Sequence, residues 1–233
     1  MTRIRFQQSL DELKENLLVM AGMAEQSIQR AIEAYRVRDL SICDLVTRSE
    51  NAINRLERDI DQAALDLLAM EQPMAVDLRF ILSVIKINAD LERVGDAAKS
   101  ISDRVRNMEQ MAAVELPVDI PRMATLASEM VRKSLQSFIE ADAETARSVL
   151  TMDDAVDKMN RAAYNALTKV MEEQSHIAPQ ALNALMISRA LERVADHATN
   201  IAEDVIFWVQ GDDVRHAKSV AASKKEAENK PVA

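Results

Sequence analysis

The 233-residue chain is poor in the residues that turn a backbone. It has 3 glycines and 5 prolines, where average usage is about 7% and about 5%. Folds with many tight turns need residues that tolerate φ > 0. Three glycines therefore exclude a Rossmann loop, a P-loop, a barrel or a sandwich. Aromatic residues are only 3% of the chain. The one cysteine, Cys43, excludes an intramolecular disulfide and a cysteine-based zinc site, and it suits a reducing cytoplasm. A long apolar run is also missing. The longest stretch free of Asp, Glu, Lys and Arg, Gln174 to Ser188, is shorter than the about 20 residues of a membrane span, so no direct membrane insertion is expected. Arg3 and Arg5 are soon followed by Asp11, Glu12 and Glu15, which is not the pattern of a secretory leader.

Positive charge is in deficit as well. The formal net charge is −9. Gly211 to Ala233 carry five basic residues against four acidic ones, so residues 1–210 hold −10. An acidic body repels nucleic-acid phosphates and anionic lipid. Nucleic acid is thus not an expected partner, and cations or a basic protein fit better.

What remains is helix-forming. Ala, Leu, Met, Glu, Arg and Gln dominate, all good helix formers. Apolar residues recur at three and four, as in Leu10, Leu13, Leu17, Met20 and Ala24, or Leu91, Val94, Ala98, Ile101 and Val105. That is the period of a helix with one buried face. Pro73, Pro117, Pro121 and Pro179 fall between such stripes, where proline is tolerated. The pattern predicts an all-α protein of six long antiparallel helices at 8–37, 42–69, 74–107, 120–141, 144–173 and 179–210, with Ser41 a candidate N-cap. After residue 211 a polar, flexible tail is expected.

The chain repeats itself. Residues 91–105 (LERVGDAAKSISDRV) and 191–205 (LERVADHATNIAEDV) agree at 8 of 15 positions. With a three-residue shift, Ile28, Ile32, Tyr35 and Asp39 align with Val131, Leu135, Phe138 and Asp142. Periodicity explains the aligned Leu and Ile but not the aligned Glu-Arg-x-x-Asp. Two copies of one three-helix unit are predicted, at 1–115 and 116–210, with the tail at 211–233.

Within each unit, acids line up. Glu92, Asp96 and Asp103 share a helical face beside the buried seam, and Glu192, Asp196, Asn200 and Glu203 repeat it. The preceding helix of each unit offers Glu50 and Asn54, or Asp153 and Asp157; Glu57 and Asn160 extend those lines by a turn. Like charges at i, i+4 cost an isolated helix about 0.2–0.5 kcal/mol each. A hard divalent or trivalent cation would offset that repulsion. A single such pair reads more simply as a solvated face neutralised by Arg79, Arg93 or Arg193. Recurrence on two helices in two copies favours two metal sites.

The doubled Leu-Glu-Arg-Val-(Gly/Ala)-Asp-(Ala/His)-Ala, with Gln72-Pro73 and Asp77-Leu78-Arg79 upstream of the first copy, resembles the PhoU family over about residues 5–216. The resemblance implies two pseudo-symmetric three-helix bundles and a homodimer. It implies multinuclear metal clusters, of iron or of Mn, Mg, Zn or Ca, held by Glu/Asp-x-x-x-Asp pairs. The first site would use Glu50, Glu92 and Asp96, and the second Asp153, Asp157, Glu192 and Asp196. Asn54 stands where an acid is usual, and Asp103, Asn200 and Glu203 are peripheral. The resemblance also implies the role of a cytoplasmic negative regulator, not an enzyme. Its partners would be a phosphate ABC transporter and a membrane sensor histidine kinase.

Two other readings compete. A carboxylate-bridged di-iron enzyme needs Glu-x-x-His on two helices, and Glu173 and His176 supply one such pair only. A metal-free scaffold would use the acidic ridges to dock basic loops.

Overall fold

A computed structural model describes residues 3–215. Six α-helices follow one another: α1 (Arg3–Val37), α2 (Leu40–Glu71), α3 (Ala75–Asn107), α4 (Ile120–Glu140), α5 (Ala143–Glu173) and α6 (Ala178–Gln210). There is no strand among the described residues. The predicted tail lies outside the described residues from 216 onward. Residues 211–215 turn back, and Val214 packs against the core.

The breaks arise where local chemistry stops a helix. Arg38 takes φ 58°, and Asp39 then caps α2 by accepting the Ser41 N–H at 2.8 Å. The N-cap is therefore Asp39 and not Ser41, because the shorter chain path lets the aspartate reach the amide two residues on. Asp142 repeats this at α5, accepting from Glu144 N at 2.9 Å and from Thr145 Oγ1. Asp119 caps α4 through Arg122 N at 3.0 Å, with Pro121 in the first turn. Gly211, at φ 79°, ends α6 in the left-handed conformation that glycine favours. Helix α1 begins five residues earlier than its apolar stripe predicts, since Phe6 also packs on the core. A 3₁₀ turn, Ser175–Ile177, precedes α6. It occupies the place that the first turn of α3 takes in the first unit.

Helices α3 and α6 lie at the centre and run antiparallel. Arg79 Nε donates to Trp208 O (3.2 Å), Ser83 Oγ to Asp204 O (3.0 Å), and Asp90 meets His197. One residue number rises as the other falls. Helices α1 and α4 pack beside this pair, while α2 lies against α1 and α3, and α5 against α4 and α6. The main core runs without interruption through both units, from Leu13 and Leu17 through Ile53 and Leu91 to Val194 and Ile201. Each such side chain, taken wholly out of water, contributes about 1.5–3 kcal/mol. The few aromatics concentrate at the join. Phe80, Phe138 and Trp208 have ring centroids 5.1–5.9 Å apart. Helices of 31 to 35 residues hold each acidic line straight over several turns.

Candidate metal centre

Each acidic line sits where two helices of one unit meet. In the first unit, Asn88 on α3 fixes the level of α2: its Nδ2 donates to Glu57 O and to Asp61 Oδ1, both at 2.9 Å. Two turns further along α3, Gly95 lets Ile53 come close. This brings Glu57 on α2 within electrostatic reach of Glu92 and Asp96 on α3. Burial raises the Glu92 carboxyl above its ordinary range. The charges of Asp96 and Glu57 and a hydrogen bond with Asp96 raise it further, against Arg93. Glu57 is raised by burial, then by Asp61 and, less strongly, Asp96, against Arg58 and Arg93. At the other end of the line, Asn54 Nδ2 donates to Glu50 Oε1 at 2.6 Å.

The second unit forms a tighter set. Glu192 is raised by burial first, then by Asp196, Asp157 and Asp153, with Arg189 opposing. Asp196 is raised by burial and by Asp157, with His197 and Arg193 opposing. Glu192 thus feels the charge of all three other predicted ligands of this unit. Asp157 also accepts from Arg161 Nη1 at 3.2 Å.

The peripheral residues point elsewhere. Asp103 is held by Lys99 Nζ through both oxygens, at 2.7 and 2.6 Å. Asn200 donates to Asp90 Oδ1 at 3.2 Å, and Glu203 lines the cleft between α3 and α6. Asn160 accepts from Ser188 Oγ at 2.9 Å, tying α5 to α6. Glu173 ends α5 and His176 lies in the 3₁₀ turn, so that pair does not share a helical face.

The donor chemistry fits a hard cation. Carboxylates and amide oxygens are the groups such ions take. Asn54 Oδ1 is buried without a hydrogen-bond partner, an arrangement that costs free energy unless something positive meets it. The geometry is not gathered, however. Among the described residues, no three His, Cys, Asp or Glu side chains converge on one point.

A second polar array lies between the units, and the repeat pattern did not reveal it. Asp90 and Asp204 are buried. His197 Nδ1 is 2.8 Å from Asp90 Oδ1, and Lys86 Nζ is 2.8 Å from Asp204 Oδ1. Burial raises the Asp204 carboxyl although Lys86 lowers it. One signal was present in the sequence: the counterparts of Asp90 and Asp204 are Ala190 and Arg104, so these acids serve the join and not the repeat.

Comparison with known proteins agrees with this architecture. The PhoU domain matches residues 17–105 and 120–205. The phosphate-specific transport system accessory protein PhoU homolog of Pseudomonas aeruginosa is 35% identical over 226 residues, 97% of this chain and 93% of its own. The Escherichia coli K12 PhoU accessory protein is 30% identical over 212 residues, 91% of this chain and 88% of its own. The crystal structure of PhoU from Pseudomonas aeruginosa superposes with a TM-score of 0.86 at 34% identity, over 89% of this chain and all of that one. That of Streptococcus pneumoniae gives 0.83 at 28% identity, over 90% of this chain and 99% of that one.

Proposed function

The chain belongs to the PhoU family, and from that premise we propose that it is an accessory protein of a phosphate-specific transport system that restrains uptake when phosphate is plentiful. It is a regulator and not an enzyme. It acts in the cytoplasm as a homodimer in which each chain holds the units 1–115 and 116–210, and it relays the state of a phosphate ABC transporter to a membrane sensor histidine kinase. No helix among the described residues is long and apolar enough to cross a membrane, which is compatible with reaching the membrane through protein partners.

The observation that carries the site reading is the raising of Glu192 and Asp196 on α6 by burial and by the facing charges of α5, Asp157 on both and Asp153 on Glu192. In this reading those four hold one metal centre, and Glu50, Asn54, Glu92 and Asp96 hold the other, with Glu57 beside it. Bound cations would neutralise the ridges and lock α2 to α3 and α5 to α6. The splayed side chains also suit a second reading, in which the ridges take the basic loops of a partner directly.

Two measurements separate these. A deletion strain at high phosphate is expected to over-accumulate phosphate and to express starvation genes; unchanged behaviour would overturn the regulatory reading. Elemental analysis of purified, dialysed protein is expected to find metal, with about half lost in Glu192→Ala/Asp196→Ala. No metal at micromolar supply leaves the docking reading.

A further inference from the structure

The second unit is an internal control for the first. Both reach the same fold, so a side chain that is apolar in one and polar in the other is not apolar for folding. Around the turn joining α2 to α3, Leu65, Met70, Met74 and Val76 are each more than half exposed, and Leu78 is exposed beside them. Their counterparts in the second unit are Thr168, Glu173, Gln174, His176 and Ala178. Such a concentration of exposed apolar surface is uncommon on a monomeric surface and marks interaction sites. Two of the five are methionines, which adapt to varied apolar partners.

Along the chain this stretch is acidic. From Asp59 to Leu78 the chain carries Asp59, Asp61, Asp66, Glu71 and Asp77 and neither Lys nor Arg. The equivalent turn of the second unit includes Lys169. A membrane of anionic lipid would meet Asp66, Glu71 and Asp77 there. A second copy docked about a two-fold axis would set those acids against their own mates. The opposite charge pattern, an apolar stripe bordered by Lys or Arg, satisfies both features.

We propose that the α2–α3 tip is a docking site for a basic amphipathic helix of a partner protein, and that only the first unit carries it. Apolar side chains of the partner cover Leu65, Met70, Met74, Val76 and Leu78, and its basic border faces Asp66, Glu71 and Asp77. The patch lies beyond the acidic ridges, so it does not depend on their holding metal.

The test transplants the second unit's residues into the first: Leu65→Thr/Met70→Glu/Met74→Gln/Val76→His. Each replacement already occupies the equivalent position of a folded unit, and circular dichroism checks folding. The probe is a synthetic amphipathic helix of Leu and Lys, titrated in EDTA against wild type and variant, with a Leu and Glu helix as control. The Lys helix is expected to bind wild type and to bind the variant at least about tenfold more weakly, and binding should weaken with salt. Equal binding to both proteins, or preference for the Glu helix, overturns the proposal. So does a variant that loses self-association in sedimentation, or one that loses binding to vesicles of anionic lipid, because the patch then belongs to a second copy or to a bilayer.

Discussion

A Cβ on Gly95 would lie 3.0 Å from Ile53 Cδ1 and 3.4 Å from its Cγ2. At the equivalent positions the second unit has Ala195 and Val156, both buried. The two units divide one volume differently: the methylene missing from Val156 is matched by the methyl gained at Ala195. Gly95→Ala should therefore meet opposing effects. Alanine gains about 1 kcal/mol over glycine within a helix, while overpacking against fully buried Ile53 costs about 1–3 kcal/mol. The expected outcome is a net loss for Gly95→Ala alone. In the Ile53→Val background the same change should become stabilising. A urea double-mutant cycle measures the coupling, expected at about 0.5–3 kcal/mol; additive effects would contradict it.

The caps give a simpler expectation. Asp142 holds both Glu144 N and Thr145 Oγ1, whereas Asp39 holds Ser41 N. Replacing either with alanine should cost about 1 kcal/mol in urea unfolding, with Asp142→Ala the more severe. The hydrogen bonds lower both carboxyls, so their stabilisation is present above the ordinary aspartate range and is lost as pH falls through the folded value.

The ridges titrate with the opposite sign. Glu57, Glu92, Glu192 and Asp196 are all raised. At neutral pH these carboxylates are ionised in both states, and they weaken the fold. As pH falls through their folded values, the native state takes up protons before the unfolded chain does. Metal-free protein should thus become more stable on acidification from neutrality toward about pH 4.3, the unfolded glutamate value. Glu92→Gln/Glu192→Gln should flatten that rise. Thermal unfolding across this range, in EDTA, is the measurement.

The sequence carried the six helices because 3.6-residue periodicity survives over 21 to 35 residues, and it carried the ridges because both units repeat Glu-Arg-x-x-Asp. The join escaped because it is set by tertiary packing. Asp90 lies two residues before Glu92, on the face of α3 that meets α6, and no local pattern marks it. His197, next to Asp196, turns away from the acid line as helical geometry predicts, yet its partner Asp90 is 107 residues distant. Helix α6 starts at Ala178, one residue before the expected 179, since the 3₁₀ turn at Ser175–Ile177 leads directly into it without a distinctive signature of its own.

The join should be sensitive to its buried acids. Asp204 is buried and Lys86 is its charged partner, partly open to water. Asp204→Ala leaves the ammonium without its acceptor and should cost about 1–3 kcal/mol. In Lys86→Ala/Asp204→Ala the loss should be smaller than the sum of the single changes. Equal sums in a urea double-mutant cycle would show that the two side chains act independently.

Asn54 offers the sharpest test of the metal reading, because the two states respond oppositely. The amide now donates to Glu50 Oε1 at 2.6 Å, while its own oxygen is buried without a partner. Asn54→Asp removes that donated hydrogen and places a second charge four residues from Glu50, so metal-free protein should lose stability at pH 7. The same change restores the Glu-x-x-x-Asp pair and adds a charged ligand to the first site. Metal affinity there should rise by about tenfold, a gain of about 1.4 kcal/mol, and saturating metal should reverse the loss of stability. Calorimetric titration with Mn²⁺, paired with unfolding in EDTA and in excess metal, reads both effects. A ridge that only docks basic loops would show the loss of stability without the gain in affinity.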